Sequence, residues 1–486
     1  GRPLHPSIII DRLKILFPGL IIQREKHLLG HQDLNMITTP RGTFSPLILN
    51  LKDHLEGSEI EEYWWDAYEW YYKNELWQDR LSAVLQGFKH RNQQAAIHSS
   101  LAQKLYKSPF KTSISRLEKF NGCQFAHFIE YGLKPRDRKI FAMEAPDIGE
   151  LFHLGLLNFA RSLNEIGMEW KDLGQKQCFA LIDGIMDQLV LDYNSGILKS
   201  SPRYEYLVTR LKRICRRAAW TLTLHIKRGD FVPAYYEVSF GLQGTLPPMV
   251  FELDSGEKVY LEGRIDRVDL LETGEDIYVR VIDYKSGSKD LSLSDIYNGF
   301  SLQLFLYLDS VLRAVPAFSG KTPQPGGVFY FKIDDPMINT DSRDKDIIER
   351  EILKKMKMTG LVVRDVNVIR QMDRDIAGYS EILPVQVTKN DEVGAKSNAL
   401  TELEFAALIK HINQQVGEIS AAILEGRTGI MPSNYDGNTA CRYCQFRSVC
   451  QFDVLLDDNS YRFVRKMTDE DVLRKIMAAG GGDNNG

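Results

Sequence analysis

The sequence predicts an α/β fold in which helices flank one mixed central sheet, and three features indicate it. Apolar residues recur at helical spacing in long segments of the first half of the chain. The middle of the chain alternates with period two, as strands do, and helical spacing then returns. Helices and strands mixed in this order are typical of an α/β or α+β domain with a single central sheet.

These patterns define the predicted elements, from the N-terminus onwards. The predicted helices are 117–128, 147–168, 204–226, 291–314, 343–357 and 401–426. The predicted strands are 235–240, 247–253, 258–270, 277–285 and 327–332. The end of the chain, 480–486, is rich in Gly and Asn and is predicted to be disordered.

Composition excludes several classes of protein. Lys and Arg number 61 against 65 Asp and Glu, so the net charge of -4 excludes a histone-like positive surface. A hydrophobic fraction of 43% excludes global disorder, and 486 residues suggest two to four domains at roughly 150 residues each. No apolar run reaches about 18 residues and no secretory signal is present, so we expect a cytoplasmic protein with reduced cysteines and no membrane anchor. The chain begins at Gly1 rather than Met, which indicates a fragment or a processed piece.

The aromatic segment 61–72 has two interpretations. Its rings could stack on nucleic-acid bases, or it could form an amphipathic helix docked on a neighbouring domain. Trp65, Tyr68, Tyr72 and Leu76 recur at helical spacing. Acidic residues lie between them and would repel phosphate, which favours the docked helix.

The most informative stretch is a predicted hairpin between two of the strands. If its turn places Glu272 opposite Ile277, Asp266 falls opposite Asp283. Lys285 is two residues beyond Asp283 and therefore lies on the same face of the strand. This register predicts two carboxylates and an ammonium group in one patch, and a slip of one residue would separate them.

Such a patch suits metal-dependent hydrolysis of phosphodiesters. Opposed carboxylates repel each other unless positive charge lies between them, and Mg²⁺ with oxygen ligands meets that need. The metal polarises the phosphate and lowers the pKa of water, while Lys285 stabilises the developing charge. An isolated Asp-x-Lys is common, however, and by itself indicates only an edge strand with charged side chains.

Four further residues strengthen the hypothesis of a nuclease. His153 lies in a predicted helix and Glu237 in a predicted strand, while Gln303 and Tyr307 lie four apart on one helical face. Each is ordinary alone. The order of all these residues along the chain, with the Asp-Tyr-Lys motif in the middle, resembles the RecB-type branch of the PD-(D/E)XK nucleases.

This resemblance implies a restriction-endonuclease-like core and a role for each residue. It places the metal on His153, Asp266, Asp283 and the backbone carbonyl of Tyr284. The catalytic residues that it implies are Asp266, Asp283, Lys285, Gln303 and Tyr307. Of these, Lys285 acts in catalysis directly, while Gln303 and Tyr307 support the lysine and the DNA strand. Glu237 is the weakest assignment, because a glutamate in a strand can be structural.

Three of the six cysteines form a compact motif near the C-terminus. Cys441, Cys444 and Cys450 give the spacing C-x2-C-x5-C, which indicates a metal site. No second C-x2-C motif follows, so an iron–sulfur cluster with one distant ligand is favoured over zinc. The candidates for the fourth ligand are Cys123, Cys178 and Cys215, with His411 as a further option. The contexts of Cys178 and Cys215 are typical of buried thiols.

A cysteine ahead of the nuclease motifs and C-x2-C-x5-C behind them resembles the C-terminal portion of the AddB family, the nuclease subunits of AddAB helicase–nucleases. The resemblance implies a nuclease domain over 106–455, preceded by the end of a helicase-like region over 1–105. Residues 456–486 would form a C-terminal helix and a disordered tail. A [4Fe–4S] cluster is implied on Cys123, Cys441, Cys444 and Cys450. An AddA-type protein is the implied partner, and a single DNA strand from a broken duplex end is the implied substrate.

Three functional hypotheses remain open, and a basic helix bears on all of them. Arg210, Arg213 and Arg217 share one helical face and are candidates for contact with DNA phosphates. The chain could be an active Mg²⁺-dependent exonuclease domain, a non-catalytic DNA-end-binding iron–sulfur module, or a stand-alone RecB-like nuclease. Intact acidic residues and an intact lysine argue against the second hypothesis. The first 105 residues argue against the third hypothesis, because a stand-alone RecB-like nuclease does not contain such a segment.

Overall fold

The computed structural model describes residues 7–19, 34–88, 92, 96–136, 142–287, 289–341, 343–456 and 458–480. The chain divides into two compact units, Gly1–Arg91 and Asn92–Gly486. This division lies earlier than the predicted boundary at 105, because the buried side chains of Ala102 and Tyr106 belong to the core of the second unit. The tail beyond Gly480, predicted to be disordered, lies outside the described residues.

The described part of the first unit is helical, as expected. Its helices are α1 (Ile8–Leu16), α2 (Pro40–Leu55), α3 (Glu62–Lys73) and α4 (Gln78–Phe88). Its core contains Trp64 and Tyr71 of α3, whereas Tyr72 is 63% and Leu76 86% exposed. The buried face of the aromatic segment is therefore not the one predicted from Trp65, Tyr68, Tyr72 and Leu76. The segment is aromatic on every side, so its periodicity did not distinguish one face from another.

A mixed eight-stranded sheet forms the centre of the second unit. The described strands of this unit, in all of its sheets, are β1 (Phe110–Ser113), β2 (Val232–Phe240), β3 (Met249–Glu252), β4 (Lys258–Thr273), β5 (Asp276–Lys285), β6 (Thr322–Lys332), β7 (Thr359–Val363), β8 (Gly378–Tyr379), β9 (Gln386–Val387), β10 (Ala399–Leu400), β11 (Ser433–Tyr435), β12 (Asn438–Thr439) and β13 (Arg462–Val464). The main order is β1-β4-β5-β6-β7-β10, and β2 and β3 also pair with β4. Strands β8 and β9 form a separate pair, and β11, β12 and β13 a small third sheet. The predicted mixed sheet is confirmed.

Helices cover this sheet. They are α5 (Ser99–Tyr106), α6 (Ile114–Gly122), α7 (Gln124–His127), α8 (Ala145–Glu165), α9 (Gln175–Asp192), α10 (Pro202–Lys227), α11 (Leu293–Tyr297), α12 (Gln303–Ser319), α13 (Lys345–Lys355), α14 (Val366–Met372), α15 (Glu402–Leu424), α16 (Arg447–Cys450) and α17 (Asp469–Gly480). Helices α8, α9 and α10 pack on one another, while α12 packs on β5 and β6. Helix α15 packs on α12, α6 and α17. In the described part of the chain, no helix is both long and apolar enough to cross a membrane.

Several sequence predictions needed correction. The predicted helix 291–314 is two helices, α11 and α12, because Gly299 has a left-handed φ of 75° that interrupts the first. Strand β1, helix α9 and the short elements from β7 to β10 were not predicted. Strands of two to five residues are too short to show a period, and pairing with distant strands stabilises them.

The β4–β5 hairpin has the register predicted from the sequence. Glu272 pairs with Ile277, and the pairing continues to Arg267 opposite Ile282. The next pair in this register is Asp266 with Asp283. The turn itself is tighter than expected, since Thr273 also pairs with Asp276.

A glycine in β7 allows a test of how closely strands β6 and β7 approach each other. Gly360 has a φ of 147°, and a Cβ added there would lie 2.1 Å from the Val328 carbonyl oxygen of β6. We expect Gly360→Ala to lower the free energy of unfolding by on the order of 2 kcal/mol or more, because backbone strain and a backbone clash act together. Urea unfolding would measure the loss.

Gly256→Ala is the matched control, since Gly256 has a φ of 81° but an added Cβ would meet nothing within 4 Å. This variant should lower the free energy of unfolding by only about 1 kcal/mol, because it introduces the strain of a left-handed residue but no clash. If both variants lose the same free energy of unfolding, the close approach of β6 and β7 does not restrict the side chain at position 360.

Candidate functional site

Three neighbouring strands each contribute one carboxylate to a single row. In β2 and β4, Tyr236 pairs with Arg267 and Val238 with Ile265, so Glu237 lies opposite Asp266. The β4–β5 register places Asp283 on the other side of Asp266. Opposed residues of paired strands share a face, so the order across the sheet is Glu237, Asp266, Asp283.

Helix α8 adds a histidine to this row. His153 Nδ1 lies 3.2 Å from Glu237 Oε1 and 3.4 Å from Asp266 Oδ1. Ligand atoms of His153, Glu237 and Asp266 all lie within 4.8 Å of one another. Glu237 also has a φ of 46°, a strained conformation for a residue with a side chain. Sequence reasoning ranked Glu237 last, but the structure places it among the three residues of this group.

Asp266 and Asp283 differ in their surroundings although both are buried, with 8% and 1% exposure. Asp266 Oδ2 accepts a hydrogen bond of 2.6 Å from the backbone N–H of Tyr284. Asp283 forms a close ion pair with Lys285. Burial, together with the charge of Asp266, raises the pKa of Asp283 to about 6, although Lys285 and His153 act in the opposite direction.

The acidic row raises the pKa of His153. Burial by itself lowers the pKa of His153, but hydrogen bonds to Asp266 and Glu237 and the charges of both outweigh burial and raise the pKa to about 10. Carboxylate repulsion is therefore relieved by His153 and Lys285 even without a metal. Glu237, Asp266 and the imidazole of His153 lie close enough together to fit a divalent cation, with Asp283 next to Asp266 in the row, because carboxylates and imidazole are the ligand types that such ions use.

A chain of hydrogen bonds fixes Lys285. Its ammonium group donates to Gln303 Oε1 at 3.2 Å, and Gln303 Nε2 donates to the Tyr307 hydroxyl at 3.0 Å. Gln303 is the first residue of α12, and Tyr307 follows one turn later. The structure thus brings every residue of the predicted nuclease site together. Sequence reasoning missed Glu118, whose carboxylate accepts the backbone N–H of Leu302 at 2.8 Å. No motif marks Glu118, and the contact joins residues 184 apart.

Four cysteines line a small cavity. Its lining includes Cys123, Cys441, Cys444 and Cys450, together with apolar side chains such as Phe125 and Phe446. Cys178 and Cys215 are buried in α9 and α10, within a different core cluster. His411 is a hydrogen-bond partner of the Tyr297 carbonyl oxygen at 3.1 Å and stacks on its ring. Of the candidates for a fourth ligand, the structure thus brings Cys123 to the C-terminal motif.

The spacing and burial of the cysteines bear on what this cavity could hold. Among the described residues, only the His153 group has three ligand atoms all within 4.8 Å of one another. No three of the cysteine sulfurs therefore lie within 4.8 Å of one another. Burial and the charges of the three other thiols raise the pKa of Cys441 to about 11, and burial likewise raises the pKa of Cys123. A positively charged cluster would relieve both effects. The [4Fe–4S] assignment stays a prediction.

The basic face of α10 is largely paired with acids. Arg213 Nε lies 2.6 Å from Asp335 Oδ2, and Arg217 Nε lies 3.7 Å from Asp335 Oδ1. Arg210 is exposed. Internal ion pairs reduce the charge that this face offers to phosphate. DNA contact by Arg210, Arg213 and Arg217 therefore stays a prediction, with less support than their helical spacing alone suggested.

Comparison with known families supports the resemblance found in the motifs. The family model of the PD-(D/E)XK nuclease superfamily matches residues 111–451. The model of the fifth domain of the ATP-dependent helicase/deoxyribonuclease AddB matches residues 30–87.

Curated relatives extend the likeness to most of the chain, and each is a subunit of an ATP-dependent helicase/deoxyribonuclease. The relative from Alkaliphilus oremlandii is 45% identical over 476 residues, and that from Alkaliphilus metalliredigens is 45% identical over 477. The relative from Clostridium botulinum (strain Hall) is 41% identical over 480 residues. Each alignment covers 98% of this chain and 42% of the relative, so the chain spans less than half of the length of these proteins.

The cysteine cavity leads to a test by metal analysis. Protein purified without oxygen should be brown and contain about four iron atoms per chain. Cys123→Ala should lose iron as thoroughly as Cys441→Ala and become sensitive to protease near 106–125 and 440–455, since the cluster closes a long loop. Cys178→Ala and Cys215→Ala are the controls and should retain iron. Stoichiometric zinc without iron would contradict the cluster, and iron retention in Cys123→Ala would contradict its fourth ligand.

The contrast between the two aspartates gives a prediction for the metal-free protein. The pKa of Asp283 is raised from 3.8 to about 6, so the native state binds this proton more tightly than the unfolded chain does. Stability is therefore lost as pH rises through this interval. The asparagine of the Asp283→Asn variant carries no charge at any pH, so this variant does not lose this stability as the pH rises. The substitution should therefore raise the free energy of unfolding by about 1 kcal/mol near pH 7.5 and have little effect near pH 4.

Asp266→Asn is the comparison and should lower stability near neutral pH. It removes the charge that pairs with protonated His153. Chelator-treated protein, unfolded with urea at several pH values, provides the measurement. A loss of stability in Asp283→Asn at neutral pH would show that its ion pair with Lys285 outweighs burial.

Proposed function

The chain belongs to the PD-(D/E)XK nuclease superfamily, and from this premise we propose that it is the Mg²⁺-dependent DNA exonuclease domain of an AddAB-type helicase–nuclease. The observation that supports the proposal most directly is the row formed by Glu237, Asp266 and Asp283 with Lys285 beside it. An edge strand with incidental charges would not bury two aspartates to 8% exposure or less and surround them with a histidine and a lysine.

The residues of the site divide between metal binding and substrate chemistry. His153, Asp266, Asp283 and the carbonyl of Tyr284 would hold the cation, and Glu237 adjoins the same point. When bound, the cation supplies Lewis acidity towards the phosphodiester. This site is buried among protein atoms, so its charges act in a medium that screens them less than water does.

Lys285 is placed to act on the reacting phosphate. Its side chain is one-quarter exposed, and its ammonium group can donate a hydrogen bond to a phosphate oxygen or to the attacking water. Asp283 and Gln303 hold the group in place, and Tyr307 fixes the amide of Gln303. A preorganised cation stabilises charge that develops in the transition state without having to reorient.

The relatives suggest the biological setting. We infer an AddA-type protein as partner, a cytoplasmic location, and a substrate strand that emerges from a broken duplex end during recombinational repair. The match of residues 30–87 to an AddB domain supports a subunit of a helicase–nuclease over a stand-alone nuclease, because a stand-alone nuclease does not need this domain. The complete set of acidic and basic side chains supports an active site over a vestigial one.

Substitution of the acidic row tests the function. Asp266→Ala, Asp283→Ala and Lys285→Ala should each lower Mg²⁺-dependent cleavage of labelled single-stranded DNA by at least about 100-fold, and EDTA should abolish it. DNA binding should remain, because basic side chains elsewhere contact the backbone. Asp276→Ala, at the far end of β5, is the control and should cleave normally. Cleavage at the wild-type rate by any of the three variants would remove this active-site assignment.

A further inference from the structure

The N-terminus of α12 lacks a capping side chain of its own. Leu302 occupies the N-cap position and makes no side-chain cap hydrogen bond. The first N–H groups of a helix have no partner within the helix, so they must find one elsewhere. Glu118 of α6 provides it, because its carboxylate accepts the N–H of Leu302 at 2.8 Å. A negative charge at this position also interacts favourably with the helix dipole.

A second contact from α6 holds the segment that leads into α12. Asn121 Nδ2 donates to the Asn298 carbonyl oxygen at 2.6 Å. The same amide is close to Gly299, where an added Cβ would lie 2.8 Å from Asn121 Nδ2. Helix α6 therefore forms hydrogen bonds to both ends of the connection between α11 and α12, at Asn298 and at Leu302. These hydrogen bonds also fix the position of Gln303, because Gln303 is the next residue after Leu302.

Glu118 also interacts electrostatically with a lysine of the active site. Burial raises its pKa, while the charges of Lys289 and Lys285 and the Leu302 N–H act to lower it. Lys289 and Lys285 lie over the ring of Tyr330, at 5.2 and 5.6 Å from its centroid. The charges of two lysines therefore act on Glu118, and one of them is Lys285 of the proposed site.

We propose that Glu118 is a positioning residue for catalysis: it anchors the N-terminus of α12 and thereby holds Gln303 where it can fix Lys285. Glu118 itself does not touch substrate or metal. The inference rests on the proposed nuclease function, and it assigns a role to a residue outside the nuclease motifs. Its consequence is that loss of the Glu118 anchor lowers the rate of chemistry more than it lowers affinity for DNA.

Steady-state kinetics on single-stranded DNA with Mg²⁺ test the role. Glu118→Ala should lower kcat by about tenfold or more with KM within about twofold, because misplacement of a catalytic group affects the transition state. Glu118→Gln should retain kcat within about threefold, since its amide oxygen can still accept the Leu302 N–H. Glu130→Ala is the matched control: Glu130 belongs to the same part of the chain but pairs with Lys119, and its loss should change neither parameter.

A double-mutant cycle separates positioning from general stability. If Glu118 acts through Gln303, the double variant Glu118→Ala/Gln303→Ala should lose no more activity than Gln303→Ala alone. Additive losses would overturn the proposal. So would normal kcat in Glu118→Ala, or equal losses in Glu118→Ala and Glu118→Gln that accompany a lower thermal midpoint, because the residue would then be structural.

Asp283→Ala, measured in the same assay, separates this proposal from the proposed function. An active Asp283→Ala variant would refute the active site itself. An inactive Asp283→Ala together with a fully active Glu118→Ala would refute only the positioning role.

Discussion

The register of the β4–β5 hairpin is the constraint on which the rest of the site depends. Side chains alternate between the two faces of a strand, so a slip of one residue would move Asp266 to the opposite face from Asp283. The observed pairs, from Thr273 with Asp276 to Arg267 with Ile282, leave no such freedom. Strand β2 then adds Glu237 on the other side of β4. The ion pairs of His153 with the acidic row and the placement of Lys285 both follow from this alignment.

The same hairpin buries charge on its other face as well. Arg267 and Arg280 both donate to Asp269, with distances of 2.6 to 3.0 Å for the bonds from their Nε atoms, and all three side chains are almost fully buried. Nearby, burial and the charges of Arg280, Arg267 and Arg228 lower the pKa of His225 to about 3. Buried ion pairs contribute little net stability, but removal of one partner leaves an uncompensated charge. The two faces therefore both favour one strand alignment over any other.

Helix α6 connects features that are far apart in the sequence. It is followed directly by Cys123, which lines the cysteine cavity with residues from the C-terminal end of the unit. Its other side contacts the connection to α12 through Glu118 and Asn121. The backbone carbonyl of Asn121 also accepts a hydrogen bond from Arg462 of β13. One short helix thus joins the cysteine cavity, the C-terminal strand and the helix that fixes Lys285.

The sequence by itself determined the mixed sheet, the hairpin register and most of the site, because strand alternation and turn position place Asp266, Asp283 and Lys285 without reference to distant contacts. Tertiary structure alone decided the rest. Glu237 joins the row through pairing of β2 with β4, and the Cys123 assignment needs the two ends of the unit to meet. Glu118 acts across 184 residues, and Arg213 and Arg217 of α10 prove to be paired with Asp335. Such contacts depend on the packing of whole elements, and no local spacing encodes them.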